Sequence, residues 1–90
     1  MTNLFYFTAK WCSPCTKVRP IVENLINDGY PFTIVDVDTE IELVKSFEIK
    51  SVPTFILLED KVEIKRITGA QTREQLLEFV KYEKNTKEDI

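Results

Sequence analysis

Leu4-Phe5-Tyr6-Phe7-Thr8-Ala9-Lys10-Trp11-Cys12-Ser13-Pro14-Cys15 is the stretch on which the fold turns. An aromatic run with strong strand preference leads into two cysteines three apart, and Ser13-Pro14 has the chemistry of a helix opening. The chain has no other cysteines, and chance would place two of them at this spacing in roughly 2% of ninety-residue sequences. The pair therefore falls at a strand-to-helix junction. A helix start carries unpaired N–H groups and a partial positive charge, both of which stabilise a thiolate, the reactive form of cysteine.

Working outward, Pro14 to about Asp28 places Cys15, Val18, Val22 and Leu25 on one helical stripe, with Ile21 and Ile26 beside it. Cys15 is thus expected on the buried face, and Cys12, ahead of the first turn, near solvent. That asymmetry predicts that Cys12 attacks and Cys15 resolves. Pro20 lies inside the helix, where it removes a backbone donor and is expected to bend it, and Asp28-Gly29 ends it. Leu4 to Thr8 has aromatics on both faces, as a central strand covered on both sides requires.

Phe32 to Val37 is a second β-branched strand, and Thr39-Glu40-Ile41-Glu42 has the form of a capping box opening a helix through Phe47. Val52-Pro53 precedes a third strand, Thr54 to Leu58. A turn at Glu59-Asp60-Lys61 leads to a fourth, Val62 to Thr68, as an antiparallel hairpin. After Gly69, Thr72-Arg73-Glu74-Gln75 reads as another capping box, opening a helix with Leu76, Leu77 and Val80 inward. The predicted order is β-α-β-α-β-β-α, an α/β domain over residues 1–83, with 84–90 a charged tail that frays. Phe5, Phe7, Phe32 and Phe55 are read as core aromatics.

Ninety residues with a net charge of −3 allow one small domain with a single core. Lys and Arg are scattered, which argues against nucleic acid as a partner. No segment has the length and apolarity of a membrane span. The opening strand begins about three residues from Met1 without a basic leader, which argues against a secretory signal. The expected compartment is the cytoplasm, where a Cys-x-x-Cys pair reads as catalytic rather than structural. There is no histidine, so the commonest metal ligand and the commonest general base are both missing. No cofactor or metal is expected, and the protein is expected to be a monomer.

Ala9-Lys10-Trp11-Cys12-Ser13-Pro14-Cys15, Pro20, Val35-Asp36-Val37-Asp38, Val52-Pro53-Thr54 and Gly69 together make the sequence resemble the thioredoxin family. The resemblance implies a thioredoxin fold, with a mixed four-stranded sheet flanked by helices on both faces. It also implies a cis peptide at Pro53 packed against the cysteines, and substrate contact by Trp11, Val52, Pro53 and Gly69. The expected partners are disulfide-containing proteins as substrates and thioredoxin reductase, or else glutathione, as electron donor. The chain departs from the family pattern in four places. An initial strand and helix are lacking; Tyr6 and Ile34 fall where the family has a buried aspartate and its lysine; Ser13 replaces a glycine. Lys61 replaces a turn glycine, so a different turn geometry is expected there.

The implied chemistry is disulfide reduction. Cys12 forms a mixed disulfide and Cys15 then attacks Cys12 to release product. Ser13 offers a hydroxyl hydrogen bond and Pro14 removes only a donor that would be orphaned. Tyr6 cannot accept a proton near neutral pH, so water, the departing Cys12 thiolate or a carboxylate such as Asp36 must serve Cys15. Lys10 and Lys17 are read as solvated side chains, and Asp36 and Asp38 as a solvated strand end. Three other readings stand beside this one: a glutaredoxin-like protein using glutathione, a binding module built on the groove around Trp11, Val52 and Pro53, and a two-chain metal scaffold. Glutaredoxins usually carry Pro-Tyr between the cysteines and Gly-Gly before the last helix, where this chain has Ser13-Pro14 and Gly69-Ala70.

Overall fold

The computed structural model describes residues 2–81. The expected tail, 84–90, lies outside the described residues. The element order is β1 (Thr2–Thr8), α1 (Ser13–Asn27), β2 (Phe32–Asp36), α2 (Ile41–Phe47), β3 (Thr54–Glu59), β4 (Val62–Thr68) and α3 (Arg73–Phe79). The strands form one sheet in the order β2-β1-β3-β4, with β1 parallel to β2 and the other two pairings antiparallel.

Alternation along the central strands sorts their side chains onto two faces. Leu4, Tyr6, Phe55 and Leu57 face α1 and α3, and pack with Val18, Val22, Leu25, Leu76 and Phe79. Phe7, Ile56 and Leu58 face the other way, against α2, with Phe5, Leu43 and Phe47 half-buried around them. Phe47 closes an aromatic cluster, its ring 5.7 Å from Phe5 and 6.0 Å from Phe7. Two strand faces each covered by helix explain why β1 and β3 are apolar on both sides.

α1 buries Cys15, Val18, Val22 and Leu25, the stripe expected from the sequence, and continues through Pro20. α3 carries the expected capping box: Thr72 Oγ1 accepts from Gln75 N (3.1 Å), and Thr72 N donates to Gln75 Oε1 (2.8 Å). Leu76 is buried, and Leu77 and Val80, half-buried, pack against the same core as expected; Phe79, which the pattern did not single out, is buried with them.

Two expectations are corrected. The capping box at Thr39–Glu42 does not form. Thr39 instead donates its hydroxyl to the Asp36 carbonyl (3.3 Å), in a turn where Glu40 N also reaches that carbonyl (2.9 Å). α2 then opens behind Glu40 with no side-chain cap. At the hairpin, Asp60 (φ 52°) and Lys61 (φ 72°) both take left-handed backbone between paired Glu59 and Val62. That is the conformation a two-residue hairpin turn favours, so Lys61 adopts a glycine-like geometry rather than avoiding it.

Candidate active site

The site is built where β1 hands over to α1. Cys12 is the N-cap of α1, and its Sγ accepts the backbone N–H of Cys15 at 3.2 Å. The two cysteines are joined as a disulfide, with Cα atoms 5.3 Å apart. A donor aimed at Cys12 Sγ, at the positive end of a fifteen-residue helix, favours negative charge on that sulfur once the bond is reduced. Cys12 does not lie near solvent as the sequence predicted, because Ala9, Val37 and Val52 pack around the pair. Cys12 is 4% exposed and Cys15 2%, so both are buried. Hydrogen bonding, not access, distinguishes them in this oxidised form. Ser13 is exposed, and the bond it forms is through its carbonyl, which accepts from Thr16 Oγ1 (2.7 Å). Pro14 sits in the first turn, where no preceding carbonyl awaits an N–H.

Ala9, Cys12 and Cys15 form a small buried cluster against which Val37 and Val52 pack. The Val52–Pro53 peptide is cis, as the resemblance implied, and Pro53 is buried. Thr54 Oγ1 donates to Ser51 O (2.8 Å), and Gly69 N donates to Pro53 O (2.8 Å), closing the loop against the end of β4. Gly69 takes φ 91°, and an added Cβ would meet nothing within 4 Å, so glycine is required there by conformation alone.

Trp11 is 68% exposed. Its indole is not free, because Nε1 donates to Asp38 Oδ2 at 2.9 Å, and the Asp38 N–H in turn donates to Asp36 Oδ1 at 2.8 Å. The two aspartates read as a solvated strand end are therefore a bracket for Trp11. No motif in the sequence marks this contact, since the partners are 27 residues apart. Trp11 forms one wall of an open groove whose far side is Val44, Ile49, Lys50, Ser51 and Val52. The groove is mainly apolar and lies beside the disulfide. A second open cleft brings Ala70 against Ser13 and Pro14, which places the segment after Gly69 beside the helix start.

Beneath the disulfide, Tyr6 is fully buried, stacks on Phe55 (centroids 5.2 Å) and directs its hydroxyl at the Cys15 carbonyl (3.4 Å). Burial raises its pKa above the ordinary tyrosine value, outweighing a hydrogen bond from Thr8, so it stays a neutral phenol in the physiological range. Ile34 lies directly beside it in the β1–β2 register and is half-buried in the same cluster. The two positions at which the family carries a charged pair thus hold a neutral phenol and an aliphatic side chain. Asp36, the carboxylate considered for Cys15, is committed to the turn that holds Asp38. Lys10 and Lys17 are exposed. Among the described residues no group of three or more His, Cys, Asp or Glu is arranged to hold a metal, and no helix is long and apolar enough to cross a membrane.

A Cys-x-x-Cys disulfide capping a helix, on a β2-β1-β3-β4 sheet with a cis-proline loop beside it, defines the class of thioredoxin-fold domains. The family model described as Thioredoxin matches residues 2–82. Thioredoxin of Mycobacterium tuberculosis is 39% identical over 74 residues, covering 79% of this chain and 64% of that protein. The bifunctional thioredoxin reductase/thioredoxin of Mycobacterium leprae is 38% identical over 79% of this chain and 16% of its own length. The X-ray structure of Fasciola hepatica thioredoxin superimposes with a TM-score of 0.80 at 32% identity, covering 88% of this chain and 77% of that one. The chain belongs to the thioredoxin family.

Proposed function

We propose that the protein is a cytoplasmic disulfide reductase that passes two electrons from a reductase to protein disulfides through Cys12 and Cys15. The observation that carries this reading is the Cys12 sulfur at the N-cap of α1, receiving a helix N–H and bonded to Cys15 three residues on. In the reduced protein the Cys12 thiolate attacks a substrate disulfide. A Cys12–substrate bond forms, the substrate bond breaks, and the leaving thiolate takes a proton from solvent. Cys15 then loses its proton and attacks Cys12 Sγ, restoring the internal disulfide and releasing the second substrate thiolate. The groove between Trp11 and Val52 lies beside the reacting sulfurs and suits an extended, mainly apolar segment of substrate.

A flavoprotein reductase is the preferred electron donor, and a relative whose name joins thioredoxin reductase to thioredoxin supports the pairing. The test is reduction of a protein disulfide driven by NADPH and thioredoxin reductase, run beside the same assay driven by glutathione and glutathione reductase. Turnover only with glutathione overturns the choice of donor. Substituting Cys12→Ser abolishes turnover if the pair is catalytic, whereas an unchanged cellular role in that variant would mark a binding module.

A further inference from the structure

Four consecutive residues, Ile49 to Val52, make the far wall of the groove, and they belong to a loop between the end of α2 and the start of β3. Within the loop, Ile49 N donates to Val44 O (3.0 Å), Ser51 O accepts from Thr54 Oγ1 (2.8 Å), and Ile49 and Val52 rest on the core, while ties to β4 hold its two ends. At its far end Pro53 O accepts from Gly69 N, just past β4. At its near end, beside the backbone bonds from Glu48 N to Lys45 O and Ile49 N to Val44 O, the side chain that holds it is Arg66, in the middle of β4. Its Nη2 donates to the Phe47 carbonyl at 2.9 Å, the last residue of α2. The same guanidinium is aimed by Glu63, which accepts from Nε (2.7 Å) and Nη2 (2.8 Å) in a two-pronged pair. Both ends of the groove wall are therefore tied to the same edge strand.

We propose that Arg66 is a positioning residue for protein substrates: it holds the Ile49–Val52 wall at the spacing that receives the polypeptide around the target disulfide, without touching the reacting sulfurs. The inference rests on the reductase reading above. The bond from Arg66 to Phe47 O meets a helix-terminal carbonyl that α2 itself cannot satisfy, and it is charge-assisted. Beyond Phe47 the chain turns through Glu48 in left-handed backbone (φ 51°) and runs directly into the wall. Loss of the tie leaves the start of the wall held only by the Ile49 N–Val44 O bond and its packing, and the order lost must then be regained each time a substrate docks. A small disulfide that needs no wall gains nothing from the tie.

The experiment compares two substrates, insulin and bis(2-hydroxyethyl) disulfide, with dithiothreitol as reductant so that no reductase contact enters. With Arg66→Ala, KM for insulin rises about five- to tenfold with kcat within twofold, and the rate on the small disulfide is unchanged. Glu63→Gln, which leaves Arg66 in place but loosens its aim, gives a smaller rise of the same kind, and serves as the test if Arg66→Ala fails to fold. Arg66→Lys, which retains the charge without the fork, recovers part of the loss. An insulin KM unchanged in a folded variant, or equal losses on both substrates, overturns the proposal. A parent protein that reduces neither substrate fails the reductase reading instead.

Discussion

Cys12 sits where a helix leaves its first N–H groups without partners, and its sulfur takes one of them. Below it, Tyr6 supplies a neutral hydroxyl where proton transfer from Cys15 would be served by a base. Replacing Tyr6→Asp should therefore speed resolution of the mixed disulfide near neutral pH, measured by rapid quench of a trapped intermediate; an unchanged or slower rate refutes the idea that a base is lacking. The raised pKa of Tyr6 also has a signed consequence. The unfolded phenol ionises first, near pH 10, so stability is intact below that pH and falls as pH rises toward the folded value. Urea midpoints between pH 8 and 11 check this, and Tyr6→Phe should lose its share of that alkaline slope. Trp11 makes the complementary point. Its neighbourhood to Cys12 is plain in the sequence, but its hydrogen bond to Asp38 depends on β2 lying beside β1, and no local pattern announces it.

Among the elements, those with strong local chemistry were legible and those with competing local options were not. The α1 stripe and the Thr72–Gln75 box follow from short-range spacing, and both form. Thr72→Ala should destabilise the protein by about 1 kcal/mol, read from the shift in urea midpoint. The Thr39–Glu42 pattern has the same form, with Glu in place of Gln at its fourth position, yet the Asp36 carbonyl captures Thr39 first and the helix begins one residue later. The β3–β4 turn shows the opposite override. Pairing of Glu59 with Val62 leaves two residues to reverse the chain, and Lys61 must take positive φ whatever its preference. Lys61→Gly should stabilise the fold by about 1 kcal/mol by removing that strain, measured by thermal or urea unfolding. No gain in the variant would mean that the Lys61 side chain offsets the strain by contacts of its own.

For the molecule as a whole, the sheet divides the interior into two halves with different duties. Leu25, fully buried between α1 and the sheet, belongs to the half that carries stability, and Leu25→Ala should cost about 3 kcal/mol with the Cys12–Cys15 pair still able to form its disulfide in the folded fraction. The opposite half, around Phe7, Ile56 and Phe47, supports α2 and through it the groove wall. Arg66 and Glu63 join that wall to β4, and the guanidinium holds the Glu63 carboxyl below its ordinary pKa. The tie is complete above the unfolded value, near pH 4, and weakens as pH falls further.

Periodicity, capping chemistry and the cysteine spacing were sufficient, from the residues alone, to define β-α-β-α-β-β-α and to single out Cys12 and Cys15. Those signals are local, acting over three or four positions, where backbone geometry dictates which side chains meet. The burial of both sulfurs, the Asp36–Asp38 bracket on Trp11 and the Arg66 tie on Phe47 depended on folding, because each joins residues from separate elements. Distance along a chain carries no information about such contacts until the sheet has set its strand order, and it is the packed sheet that turns a Cys-x-x-Cys motif into a site with a walled approach.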